Sequence, residues 1–156
     1  MPDSALQPQV DQYDRHVFVY GTLRRGELRD INGLFPAPVF IGFTTVRGIL
    51  YDLGRYPGIR LGEPGCADPV YGEVYAITPA IEVQLDAIEE VSPDPNAEYV
   101  KRYVTVQPAG ELAAGHETTS CLLNCLVYEV SADHFSGKPI ISGGDWVTYR
   151  RKCKSE

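Results

Sequence analysis

The stretch His16-Val17-Phe18-Val19-Tyr20-Gly21-Thr22-Leu23-Arg24-Arg25-Gly26 passes from a β-branched and aromatic run straight into glycine. Such a run reads as a buried strand, and the glycine as the point where it turns sharply into a loop. Glycine lets the backbone fold tightly there and present consecutive N–H groups, a nest that binds anions such as a carboxylate. The loop is not a P-loop, because no Gly-Lys-Ser/Thr follows. It also lacks the glycine spacing and βαβ context of a dinucleotide fingerprint. The plainer alternative is an ordinary strand-to-loop turn with Arg24 and Arg25 in solvent.

Working outward, residues 1–14 read as a loosely tied arm and residues 15–156 as one domain. Leu28 to Phe35 has room for a short helix before Pro36. Val39 to Leu53, with Gly42 and Gly48 inside, predicts one long bent strand or two strands. Tyr56-Pro57-Gly58 marks a turn before a short strand at Ile59 to Leu61, and Glu63 to Pro69 a loop. Val70 to Ile77 alternates as a strand does. A helix follows, with Thr78 as N-cap, Pro79 at the first helical position, and Ile81, Leu85 and Ile88 forming one apolar stripe. Ser92-Pro93-Asp94-Pro95 ends it. Tyr99 to Val106 and Ser120 to Val130 predict two paired strands, joined by a polar connection at 109–119. The segment from Pro139 to Trp146 reads as loop. The expected class is α+β and β-rich: a small mixed β-barrel with few short helices, since closing a sheet removes its exposed edges.

Composition narrows the function. The chain has 156 residues, 44% of them hydrophobic, with 14 Lys+Arg against 21 Asp+Glu and a net charge of −7. That balance argues against nucleic acid or an anionic membrane as partner, because phosphate binding needs clustered cations. No apolar run approaches the roughly 18 residues of a membrane span, and the first sixteen residues carry no secretory pattern. Cytoplasm is the expected compartment. Cys66, Cys121, Cys125 and Cys153 contain no C-x-x-C pair. Cys121 and Cys125 read as buried small hydrophobes; a metal site with His116 is the sharper alternative, without a second pair at zinc spacing. No metal is expected, and a cytosolic disulfide framework is disfavoured.

Chemistry could sit on the helix, which carries Glu82, Asp86, Glu89 and Glu90. At about 100° per residue, Glu90 falls opposite the apolar stripe and Asp86 well away from it, while Glu82 and Glu89 lie on its border. A border carboxylate can reach into a partly apolar pocket, have its pKa raised and serve as a general base. Periodicity does not choose between Glu82 and Glu89, although the helix dipole disfavours the anion near the C-terminus, at Glu89. A solvated acidic face is the bland alternative. Nucleophilic options are thin: there is no G-x-S-x-G, His16 starts a strand, His116 and His134 fall in loops, and nothing in the spacing supports a Cys66–His134 pair.

Several motifs occur together and in order. Val17 to Gly26, Gly72-Glu73-Val74-Tyr75, Leu85-Asp86-Ala87-Ile88-Glu89, Tyr99 with Val104 and Val106, and Pro139 to Trp146 resemble the gamma-glutamylcyclotransferase-like superfamily, AIG2-like or gamma-glutamylamine cyclotransferase type, over residues 16–149. The resemblance implies a small mixed barrel and conversion of a gamma-glutamyl amine or gamma-glutamyl amino acid to 5-oxoproline and a free amine. It implies Tyr20, Gly21, Thr22 and Leu23 as the anion-holding loop and Glu89 as the catalytic acid/base, with no metal or cofactor. Tyr128 could line the pocket and donate its hydroxyl, or simply pack in the core. Glu90 stands where the family often has Gly, Lys101 where Arg often follows Tyr99, and the segment Val91 to Glu98 is long. These departures keep open a catalytically inactive small-molecule binding or regulatory protein of the same fold. The expected partner is a small molecule, and the expected state a monomer or homodimer.

Overall fold

The structure, a computed structural model, describes residues 12–62, 68–89, 97–108 and 122–154. It contains six strands: β1 (Arg15–Val19), β2 (Val39–Asp52), β3 (Pro57–Leu61), β4 (Asp68–Ile77), β5 (Tyr99–Val106) and β6 (Leu123–Val130). The helices are α1 (Pro79–Glu89), α2 (Ala132–Phe135) and α3 (Trp146–Lys154). Strand order is β1-β4-β2-β3-β6-β5, and β1 also pairs with β6. Five strands therefore close a ring, and β5 extends it from the far edge of β6. The ring is mixed: β6 runs parallel to both β1 and β3, and the remaining pairs are antiparallel.

β6 organises this closure. One of its edges pairs with β5 along the whole length, from Tyr99↔Val130 to Val106↔Leu123. Its other edge is shared, with β1 at Cys125 and Leu126 and β3 at Glu129. Because strand side chains alternate faces, Phe18, Val74, Ile59, Cys125 and Val127 fill the barrel interior. The opposite faces send Val17, Val19, Tyr75, Ile77, Leu126 and Val130 against α1, which buries Ile81 and Leu85 fully. As expected, Thr78 caps α1: its Oγ1 accepts the Ile81 N–H at 3.1 Å. β2 is a single strand, with a register shift between Phe40 and Gly42.

Three expectations need correcting. The 28–35 stretch forms one 3₁₀ turn, Ile31–Gly33, and no α-helix. Its amides are used elsewhere: Arg29 N–H donates to Thr22 O and Ile31 N–H to Leu23 O, so the segment lies back on the preceding loop. Pro57 and Gly58 belong to β3; the turn comes earlier, at Gly54, whose φ is +116°. Gly58 is glycine for want of space, since a Cβ there would meet Val130 Cβ at 2.8 Å. His134 sits in α2; the stretch from Pro139 to Asp145 is loop as expected, and α3 begins at Trp146 at its end, announced by no apolar stripe. Residues 1–11 of the expected arm at 1–14, the whole polar connection at 109–119, and Cys66, Glu90, residues 91–96 and Cys121 lie outside the described residues, His116 with them. Tyr13 is tied down through its hydroxyl, which donates to Ala37 O at 2.8 Å.

Candidate active site

β1 delivers Tyr20 into a tight loop. Gly21 packs beneath Pro57, where a Cβ would lie 2.5 Å from Pro57 Cγ, so no larger residue fits. The loop carbonyls are all engaged: Gly21 O accepts from Arg24 N–H at 3.0 Å, Thr22 O from Arg29 N–H at 2.8 Å, and Leu23 O from Ile31 N–H at 2.9 Å. In a trans peptide the C=O and the next N–H point opposite ways. The Thr22 and Leu23 N–H groups therefore face away from the bonds that close the loop. Tyr20, Gly21, Thr22 and Leu23 all line one cleft of about 70 Å³, room for a handful of water molecules.

Glu89, in the last turn of α1, lines the same cleft, together with Tyr128. Four tyrosine rings surround this space, and their hydroxyls have assigned tasks. Tyr20 accepts from Ile59 N–H at 3.2 Å and donates to Tyr128 O at 2.7 Å, stitching β3 to β6 where few ladder bonds exist. Tyr99 donates to Pro57 O at 2.8 Å. Tyr128 donates to Asp86 Oδ1 at 2.7 Å, and Tyr56 to Glu98 Oε1 at 2.9 Å. Burial pushes the Tyr20, Tyr99 and Tyr128 phenols far above their ordinary range, and the nearby Glu89 charge adds to the shift in each. These phenols stay protonated and act as donors.

Glu82 and Glu89 differ in their surroundings. Glu82 accepts from Arg15 at 2.9 Å and from Lys101 at 2.5 Å, and it does not line the cleft. Burial works to raise its pKa, but the Lys101 and Arg15 hydrogen bonds outweigh that and hold the carboxyl below its ordinary value. Asp86, expected well away from the apolar stripe, is half-buried because Lys101 and Tyr128 reach it, Lys101 at 3.0 Å. The acidic flank of α1 is therefore not a solvated face.

Other residues of the site were invisible in the sequence. Arg29, Tyr56 and Glu98 also line the cleft. Arg29 lies beyond the motif, and Tyr56 and Glu98 arrive from separate loops, so no local pattern pointed to them. Arg24, which the plainer reading of the loop left in solvent, has a side chain only 12% exposed and pairs with Glu73 and Asp145. Among the described residues no three His, Cys, Asp or Glu side chains converge to hold a metal ion, and no helix is long and apolar enough to cross a membrane.

Residues 17–148 match the family described as gamma-glutamyl cyclotransferase, AIG2-like. A protein of Halalkalibacterium halodurans that bears the name "putative gamma-glutamylcyclotransferase" is 31% identical over 111 residues, covering 70% of this chain and 87% of that protein. An AIG2-like protein of Mus musculus superposes with a TM-score of 0.63 at 24% identity, covering 85% of this chain and 87% of that one, which establishes a shared fold. YkqA of Bacillus subtilis superposes with a TM-score of 0.62 at 25% identity over 91% of this chain, which spans only 43% of YkqA.

Proposed function

Because the chain belongs to the gamma-glutamyl cyclotransferase, AIG2-like family, we propose that it converts a gamma-glutamyl amine or gamma-glutamyl amino acid to 5-oxoproline and a free amine. The observation that carries this reading is one cleft lined by both the Gly21–Leu23 loop and Glu89. The substrate's alpha-amine attacks its own gamma-amide carbonyl carbon, forming a C–N bond and a five-membered ring. The tetrahedral adduct then collapses, and the C–N bond to the leaving amine breaks. Ring closure is intramolecular, so positioning supplies much of the acceleration. The alpha-ammonium gives up one proton to solvent to become a nucleophile, and its nitrogen loses a second as the C–N bond forms; Glu89 takes that second proton and delivers it to the leaving nitrogen. The Thr22 and Leu23 N–H groups receive the alpha-carboxylate or the developing oxyanion. Tyr128, with its hydroxyl held by Asp86, shapes the wall beside Glu89.

The test is 5-oxoproline release from a panel of gamma-glutamyl amines and amino acids. Wild type is expected to turn over at least one of them, and Glu89→Gln none at a comparable rate. Saturable binding without product would replace this reading with that of a binding protein, and equal turnover by Glu89→Gln would remove Glu89 from the chemistry.

A further inference from the structure

The rear of the Gly21–Leu23 loop is held by charge. Arg24 stands at the centre and does not line the cleft. Its Nε donates to Glu73 Oε2 at 3.1 Å and its Nη1 to Asp145 Oδ1 at 3.0 Å. Glu73 lies in β4 opposite Val19, where β1 gives way to the loop. Its other oxygen accepts the Arg25 N–H at 3.0 Å and the Tyr75 hydroxyl at 2.8 Å. Asp145 immediately precedes α3, and the oxygen that meets Arg24 also accepts the Val147 N–H at 3.1 Å. A second tie follows: buried Glu27 accepts from Arg150 Nε at 2.7 Å and from Nη2 at 2.9 Å, the fork arrangement that is strongest for such pairs. The C-terminal helix thus grips the loop twice, through Arg24 and through Glu27.

We propose that α3 is a working part of the anion-receiving site: through Asp145–Arg24 and Arg150–Glu27 it holds the Gly21–Leu23 loop in shape, which makes Arg24, Asp145 and Arg150 positioning residues. The proposal rests on the functional reading above. Backbone donors stabilise an anion well only when their orientation is fixed before it arrives. The engaged carbonyls set the direction of the loop N–H groups, and the two ion pairs keep that arrangement from opening. Arginine suits position 24 because its planar fork reaches two carboxylates at once, which a lysine ammonium does less well.

Amide hydrogen exchange and steady-state kinetics test this together. Arg150→Gln is the first variant, since that side chain is 33% exposed and its loss spares the core. Exchange at Gly21 to Leu23 is expected to quicken by about tenfold while Val17 to Val19 stay unchanged. KM for a turned-over gamma-glutamyl compound is expected to rise by about tenfold, with kcat within about twofold. Asp145→Asn, which keeps the capping oxygen but removes the charge, moves both readouts the same way. The charge-swapped pair Glu27→Arg with Arg150→Glu restores them; should it not fold, Arg150→Lys gives partial recovery. Unchanged exchange and unchanged KM in Arg150→Gln would overturn the proposal. Should wild type turn over none of the compounds, the activity reading falls, and exchange at the loop alone decides this one.

Discussion

The two ends of α1 carry the same side chain on the same flank and treat it differently. Glu82 lies in the first turn, where the helix dipole favours an anion, and Arg15 and Lys101 close on it from β1 and β5. Glu89 lies in the last turn, where the dipole opposes an anion, and it faces a cleft walled by tyrosine rings. Helical phase put both carboxylates at the border of the apolar stripe. What stands across from that border differs: two cations hold Glu82 as a strut, and a cleft lies before Glu89.

Substitutions at the two ends should therefore separate cleanly. Glu89→Gln is expected to lower kcat for 5-oxoproline release by about 10²–10⁴-fold, the usual worth of a general acid/base, with an unchanged denaturation midpoint. Lys101→Met leaves Glu82 and Asp86 facing each other without their shared cation. It should cost about 1–2 kcal/mol in urea denaturation, between the values of surface and buried pairs. It also releases Asp86 from one of its two partners, so a modest fall in turnover would show that the support reaches Tyr128. Glu82→Gln is expected to cost about 1 kcal/mol or less and to keep turnover within about twofold. A large loss of turnover in Glu82→Gln would erase the contrast between the two ends.

The contrast also depends on pH. Glu82 has a folded pKa below its unfolded value, so its contribution is full above about pH 4.3 and is lost as pH falls through the depressed value. Burial works to lower the Lys101 pKa, but its hydrogen bonds to Glu82 and Asp86 prevail and raise it. Its contribution is therefore full below about pH 10.4 and fades as pH rises through the raised value. The denaturation midpoints of wild type and Glu82→Gln should differ at neutral pH and converge on acidification. A constant gap down to strongly acidic pH would place the effect of Glu82 in packing and not in charge.

Much of the barrel was legible because strands announce themselves through local alternation, and α1 through Thr78, Pro79 and a stripe of three apolar residues. The acidic border of α1 was legible as well, up to the choice between Glu82 and Glu89. What resisted reading is non-local or polar. α3 includes the run Val147-Thr148-Tyr149-Arg150-Arg151-Lys152, and its polar partners are Asp145 and, 123 residues away in the chain, Glu27. Arg24 looked like a solvated cation because its partners stand 49 and 121 residues later. Pro57 and Gly58 carry turn chemistry, yet they form a strand because Gly21 and Val130 press close against them.

The shared edge of β6 bears on the timing of folding. β1 near the start of the chain pairs with residues 125 and 126, and the Tyr20 hydroxyl reaches a carbonyl 108 residues away. Contacts of such long range bring loop-closure entropy early and reward late, which slows folding. The loop cannot settle over Pro57, nor Glu89 meet its tyrosines, until β6 has taken its place. During synthesis the cleft is therefore one of the last features to appear, and in refolding any catalytic competence should arrive together with barrel closure.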